Sequence, residues 1–369
     1  MATMRAARLH KIGEPMSIDT IEVPKPRPTD VLVRVKAVGI VPNMANVINN
    51  WPIWFPHQPI PAFPAIFGLD PAGVVEEVGE SVINVKPGDR VYVSPLRSCG
   101  SCYACSGGTP SRCRYYTLNG YFSTSRDGQR IFDLYPYGGF SEFMTAPQQA
   151  LVKVPDNLPF ELAARFGYVG TAYGALRLAG AGPGTVGLID GITGTLGVAS
   201  TVLCLSMGVA KILGTGRSKE LLERVKALAP GRIEVMTLGE QSSGEWAKAQ
   251  TRGDGAHFVV SALGARADAA TMVDSMRGVR RGGKVVNVGG VADEVPVDMK
   301  WLMDEQVQII GSNWFTAAQG QEMADMIETG TLDLTYLETE AYPLADVNTA
   351  INGRLKDPRG GFSNYVVIP

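Results

Sequence analysis

Thr185–Gly197, TVGLIDGITGTLG, holds an apolar run (Val186, Leu188, Ile189) with the character of a buried parallel strand, and it opens almost at once into glycines at 191, 194 and 197. The helical pattern LGVASTVLCLSMG follows, so the order is strand, tight glycine turn, helix. The chemistry comes from the backbone. A helix N-terminus carries unsatisfied N–H groups and the positive end of the dipole, and glycines let a pyrophosphate approach without a Cβ in the way. Gly191, Thr193, Gly194, Thr195, Leu196 and Gly197 are therefore read as a dinucleotide cradle. The G-x-x-G-x-x-G spacing is one residue longer than the commoner fingerprint, and an ordinary glycine-rich β–α turn is the alternative.

The next element bears on that choice. KILGTGRSKELLERVKAL starts with a second buried strand (Ile212, Leu213) and ends in an amphipathic helix, which completes a βαβ unit. Where an NAD enzyme places an acidic residue for the ribose 2′-OH, this chain has Gly216, Arg217 and Ser218. A carboxylate there would repel a 2′-phosphate, whereas Arg217 can pair with it and Ser218 can donate a hydrogen bond. The expected cofactor is NADP(H); a merely solvated Arg217 is the alternative.

A chain of 369 residues suggests two domains or more, and 45% hydrophobic residues with 43 glycines and 24 prolines suit a loop-rich α/β enzyme. The formal charge of −2 provides no basic field for nucleic acid. No run approaches a membrane span, and the two arginines of MATMRAARLHKIGEPM precede no continuous apolar segment, so no signal peptide is expected and the cytoplasm is the expected location.

Upstream of the cradle, DVLVRVKAVGI alternates Val31, Val33 and Val35 against Leu32, Arg34 and Lys36, the pattern of a half-buried strand. The Pro-rich stretch that follows carries Trp51, Trp54, Phe55 and Phe63; it is expected to be neither helix nor central strand, and to form a pocket wall or a core plug. Strands resume at AGVVEEVG and GDRVYVSP. Cys99, Cys102, Cys105 and Cys113 then stand at spacings that let four thiolates surround one ion, the closed geometry of a structural zinc site. Two disulfides are the alternative reading, one that a reducing compartment disfavours. Cys204, alone in an apolar helical pattern, is read as core. Downstream, AHFVVSALG, GGKVVNVGG and VQIIGSNWF are further short buried strands separated by helical patterns, the rhythm of a doubly wound parallel sheet. Their ends, with Leu263, Gly264, Val288, Gly289, Ser312, Asn313 and Trp314, are expected to line the cofactor crevice. The late QGQEMADMIETG helix and the FSNYVVIP strand fall outside that repeat and are assigned to the first domain.

GDRVYVSP leading to the four-cysteine lobe, YGGFSEFMTA, the 191–197 cradle, and GGKVVNVGG followed by VQIIGS together resemble the medium-chain dehydrogenase/reductase superfamily, most closely its zinc alcohol dehydrogenase branch, over nearly the whole chain. The resemblance implies a GroES-like β-rich catalytic domain (1–160 and 315–369, with the zinc lobe at 95–115), a Rossmann domain (161–314), and a homodimer or homotetramer. It also exposes departures. Members with a catalytic zinc place ligands at positions that correspond here to Val41, to Leu69 of Gly68-Leu69-Asp70, and to Gly167; only Asp70 offers a donor. Asn43 replaces the proton-relaying hydroxyl. Branches without a catalytic zinc often reduce quinones, enones or alkenals, so hydride transfer from NADPH to an activated double bond is expected.

Candidate catalytic groups are His57 in WFPHQP, as an enolate protonator or carboxylate anchor; Tyr168, as a phenol donor; Asp70, as an acid/base group or an arginine or backbone partner; and Asn43, as a substrate anchor. Each has a plain structural reading: a surface histidine, a space-filling tyrosine, a structural carboxylate, a turn asparagine. Thr171, by its place in T-x-Y-G, is expected near the nicotinamide. The aromatic loop suggests a small apolar or aromatic substrate. Three functions remain open: a reductase of activated double bonds without catalytic zinc, a zinc alcohol dehydrogenase using atypical ligands such as Asp70 and His57, and a non-catalytic NADPH-binding protein.

Overall fold

The computed structural model describes residues 2–369 and divides the chain into two units. The first runs to Gly167 and resumes over Thr316–Pro358 and Ser363–Pro369; the second is Tyr168–Phe315 with Arg359–Phe362. The division falls a few residues later than the 160/161 boundary expected from sequence, because the short Phe160–Ala163 helix packs on strands Asp30–Gly39 and Asp70–Val78 of the first unit.

The second unit is built on six parallel strands: β1 (Val186–Asp190), β2 (Lys211–Gly216), β3 (Ile233–Thr237), β4 (Ala256–Ser261), β5 (Val279–Asn287) and β6 (Gln308–Gly311). Their spatial order is β3-β2-β1-β4-β5-β6. Leu188, Leu213, Val259 and Val285 are fully buried on consecutive strands, as expected of a sheet covered on both faces. In register Leu188 stands opposite both Leu213 and Val259, so β1 is the central strand from which the order runs both ways. That reversal is the switch point at whose carboxyl edge ligands bind in such sheets, and the 191–197 turn leaves from it.

The first unit carries a seven-stranded sheet in which Ser363–Ile368 lies between Glu338–Pro343, its parallel neighbour, and Asp30–Gly39. Asp70–Val78, Arg90–Val93 and Leu151–Lys153 continue the sheet, and Phe143–Pro147 also pairs with Asp30–Gly39. The helix Ala317–Glu328, opened by a capping box of Thr316 and Gln319, belongs to this unit as well.

One expectation fails here. Met44–Trp54, inside the stretch read as non-helical, is an α-helix that contains Pro52. Met44, Val47, Ile48 and Trp51 are its buried residues, a one-face helical spacing that outweighs the proline, which sits in the last turn and interrupts little. The aromatic residues of this stretch divide accordingly. Trp51 is buried and stacks on Phe122 with centroids 3.9 Å apart, whereas Trp54, Phe55 and Phe63 are exposed.

Candidate active site and cofactor cradle

The cradle begins where β1 ends. Gly191 adopts φ +76°, a left-handed conformation that a side chain would strain, and its carbonyl accepts from Gly194 N at 3.0 Å to close the turn. Ile192 N donates to Thr215 O (2.9 Å), tying the turn to the end of β2. A Cβ on Gly197 would lie 2.3 Å from Gly191 O, so the helix Thr195–Ser206 can approach the turn only with glycine at this position. No side chain caps that helix at Gly194, and the positive end of its dipole faces the turn, an arrangement that favours an anion.

Around this turn the carboxyl edge of the sheet holds a set of buried polar atoms that make no hydrogen bond within the protein: Ser261 Oγ, Asn287 Oδ1, Ser312 Oγ and Trp314 Nε1. They belong to the ends of β4 and β5 and to the segment after β6. Buried polar groups are ordinarily paired, and a nicotinamide dinucleotide brings the amide, hydroxyls and phosphates that such atoms can pair with. The residues therefore fit that cofactor. The expected lining residues are placed along the same edge. Leu263 and Gly289 are interlocked: Gly290 N donates to Leu263 O (2.9 Å), and a Cβ on Gly289 would meet that oxygen at 2.2 Å. Gly264 and Val288 flank this pair, and Ser312, Asn313 and Trp314 follow β6. Phe315 packs on Gly170 and the Trp314 carbonyl on Gly174, both in the helix Phe166–Ala179 that also carries Tyr168 and Thr171. These last two are three residues apart and so share a helix face.

At the end of β2, Gly216 is buried and Arg217 exposed, and Ser218 caps the helix Lys219–Ala227 by accepting from Leu221 N at 3.3 Å. As an acceptor there, the hydroxyl still has its proton to donate outward.

In the first unit, Asp70 is fully buried. Its Oδ1 accepts from the Tyr92 hydroxyl at 2.8 Å, while Oδ2 makes no hydrogen bond within the protein. Burial raises the Asp70 carboxyl to about 7, a rise moderated by the Tyr92 hydrogen bond and the Arg165 charge. Burial and the neighbouring Asp70 push the Tyr92 phenol well above its ordinary value. A Cβ on Gly167 would lie 2.0 Å from Asp70 Oδ1, so the carboxyl fills the room a side chain at 167 would need. Val41 and Leu69 are each 1% exposed.

Asn43 sits at the N-terminal end of Met44–Trp54, its Oδ1 accepting from Asn46 Nδ2 at 2.9 Å. His57 is exposed beyond the other end of that helix, whose length separates the two by roughly 16 Å.

The four cysteines do converge. Cys102 Sγ lies 3.5 Å from Cys105 Sγ and 3.8 Å from Cys113 Sγ, and Cys113 Sγ lies 3.6 Å from Cys99 Sγ. A tetrahedral zinc with bonds of about 2.3 Å sets sulfurs about 3.8 Å apart, far beyond the ~2.05 Å of a disulfide. The Ser101 N–H helps hold the Cys99 thiol down to about 6, whereas burial pushes the Cys113 thiol up to about 12. Among the described residues this is the one group of three or more His, Cys, Asp or Glu side chains placed to hold an ion, so Asp70 and His57 form no such group.

Sequence reasoning missed Tyr92, Asp190, Ser261 and Asn287. Tyr92 stands between two buried valines in RVYV, and a phenol buried in a strand ordinarily has a polar partner. Asp190 closes an apolar strand with a charged residue, the one signal that this strand end is unusual; its Oδ1 accepts from Thr215 Oγ1 at 2.7 Å, and burial raises it to about 6.

Two protein-family descriptions match the chain: "Alcohol dehydrogenase GroES-like domain" over residues 27–156 and "Zinc-binding dehydrogenase" over 195–329. An alcohol dehydrogenase of Geobacillus stearothermophilus is 32% identical over 361 residues, covering 97% of this chain and 98% of the relative. An NDMA-dependent alcohol dehydrogenase of Amycolatopsis methanolica is 28% identical, covering 93% and 94%. Among solved structures, the crystal structure of AibC superposes with a TM-score of 0.83 at 27% identity, covering all of this chain and 96% of that one.

Proposed function

Because the chain belongs to the zinc-type medium-chain dehydrogenase/reductase superfamily and is an alcohol dehydrogenase-like oxidoreductase, we propose that it is an NADPH-dependent reductase that works without a catalytic zinc on an activated double bond of the enone, quinone or iminium type. The observation that carries this reading is the donor set at Val41, Leu69, Asp70 and Gly167. Two of these side chains are aliphatic, one position has none, and Asp70 is engaged with Tyr92 in the space where a further ligand would stand. One carboxylate does not hold zinc. A Lewis acid would contribute roughly several kcal/mol to stabilising an alkoxide. An acceptor that spreads its charge into an enolate, or that already carries positive charge on an iminium carbon, has less need of it.

When bound, NADPH supplies the hydride. The chain's own residues do the rest. The 191–197 turn and the uncapped helix receive the pyrophosphate, and Arg217 with Ser218 pairs the 2′-phosphate, which supports NADPH over NADH. Exposed Trp54 and Phe55, next to His57, present apolar surface to a small aromatic or conjugated substrate. His57 and Tyr168 are the candidate donors of the proton that completes reduction, and Asn43 a candidate anchor. The four cysteines hold one structural zinc. Exposed Ile309 on edge strand β6, with exposed Met299 and Met303 on the preceding helix, supports a homodimer or a homotetramer built through this edge. No helix among the described residues is long and apolar enough to cross a membrane, and we place the protein in the cytoplasm.

The test is zinc per chain in protein purified without added metal, together with NADPH oxidation against enones, quinones, iminium ions, ketones and aldehydes. One zinc and turnover confined to the conjugated and iminium acceptors is the expected result. The names of the two relatives favour a second reading, alcohol oxidation or ketone reduction. Two zincs per chain with alcohol turnover would establish it in place of the first. Tight NADPH binding with no turnover across the panel would leave the non-catalytic reading.

A further inference from the structure

Arg359–Phe362, RGGF, is separated in sequence from the rest of the second unit by the segment Thr316–Pro358, yet it packs as part of that unit. Its contacts are with the cradle. Gly361 N donates to Thr193 O at 2.9 Å. A Cβ on Gly361 would lie 2.4 Å from Gly194 O and 2.5 Å from Val198 Cγ2. Gly360 adopts φ +61°, and a Cβ there would lie 2.5 Å from Thr193 O. Phe362 is buried beneath the Arg224 guanidinium, 4.1 Å from the ring centroid, and Arg224 belongs to the helix capped by Ser218. A single four-residue segment thus touches both the turn that would take the pyrophosphate and the helix that follows Arg217.

Thr193 and Gly194 are the residues of the turn whose peptide planes aim the first amides of Thr195–Ser206. Their carbonyls face the strap, and only residues without a Cβ can come this close to them. From this we infer that Gly360 and Gly361 are positioning residues for dinucleotide binding: they hold the Thr193 and Gly194 carbonyls, and with them the turn that opens the helix Thr195–Ser206, in place without touching the cofactor. The inference rests on the reading of 191–197 as a nicotinamide dinucleotide site. It adds that the affinity of that site is set in part by a segment more than 160 residues away in sequence.

Linkage makes the claim testable on the unaltered protein, because a strap that favours cofactor binding must be held more firmly once the cofactor is bound. Hydrogen–deuterium exchange of the full-length protein, with and without saturating NADPH, is the first measurement. Slower exchange is expected in peptides covering both 190–198 and 358–363. Slowing at 190–198 with no change at 358–363 overturns the inference. No slowing at either, together with no measurable binding of NADPH or NADH, overturns instead the reading of 191–197 on which it rests. The second measurement is NADPH affinity of Gly361→Ala by fluorescence titration, alongside zinc content and melting temperature. The expected result is a loss of about tenfold or more in affinity with zinc retained. A folded variant with unchanged affinity overturns the inference; a variant that fails to fold returns the decision to the exchange experiment.

Discussion

Asp70→Asn isolates a single physical quantity, the free energy of keeping a carboxylate inside the first unit. In the folded protein the Asp70 carboxyl is raised from an ordinary 3.8 to about 7, chiefly by burial. A raised acid binds its proton more tightly in the folded than in the unfolded chain, so its stabilising contribution is fully present below about pH 4 and is lost as pH rises through about 7. At ~1.4 kcal/mol per pH unit the loss across that window comes to about 4 kcal/mol. Asparagine mimics the protonated acid: its Oδ1 accepts from Tyr92 as Asp70 Oδ1 does, and it has no charge to bury. The variant is therefore expected to match the parent within about 1 kcal/mol near pH 4, to exceed it by about 2 kcal/mol near pH 5 and by up to about 4 kcal/mol near pH 8. In a unit of this size that is a melting-temperature gain on the order of 10 °C on the alkaline side. Asp190, raised to about 6 by its own burial, is present in both proteins and cancels in the difference. Thermal melts of both proteins from about pH 5 to pH 8.5 provide the assay. A difference that stays constant across the range, or an asparagine variant less stable at high pH, would refute the reasoning and mean that Asp70 is held as a carboxylate by Arg165.

Two further outcomes follow from the other sites. Arg217→Asp places a carboxylate at the end of β2, where it repels a 2′-phosphate and can accept from a ribose hydroxyl; NADPH affinity should fall by about tenfold or more while NADH affinity rises, and parallel fluorescence titrations that move together would count against the NADP assignment. Cys102→Ser removes one of four convergent thiolates, so the purified protein should lose its zinc and a few kcal/mol of stability; elemental analysis that still finds one zinc per chain would place the metal elsewhere.

The nucleotide-binding sheet was legible because it obeys one local rule repeatedly. A short apolar run, a glycine turn and a helical pattern recur from Val186 onward, and each was assigned independently of the others. The four-cysteine lobe was legible because ligand spacing is itself a local property. Met44–Trp54 departs from the non-helical expectation because the 44, 47, 48, 51 spacing of its buried face outweighs Pro52 in its last turn. Only the resemblance placed Gly167 near Asp70, and nothing in the sequence pointed to Tyr92 as its partner. Tyr92 and Gly167 are both far from Asp70 in sequence and meet it only through the packing of strands and helix, so no window of sequence contains the contact. The orphaned polar atoms at Ser261 and Asn287 were hidden for a similar reason: serine and asparagine at strand ends are commonplace, and only their burial distinguishes them.

The position of Ser363–Ile368 between Glu338–Pro343 and Asp30–Gly39 sets an order of events during synthesis. The first unit cannot join Glu338–Pro343 to Asp30–Gly39 until Ser363–Ile368, the strand that bridges them, has been made, more than 300 residues after Gly39. Most of the second unit, Tyr168–Phe315, is one continuous stretch and can condense earlier, while Glu338–Pro343 still lacks its neighbour. A nascent chain halted before Ser363 therefore carries an open sheet edge at Gly39, a pairing surface for other nascent chains, which Ser363–Ile368 closes.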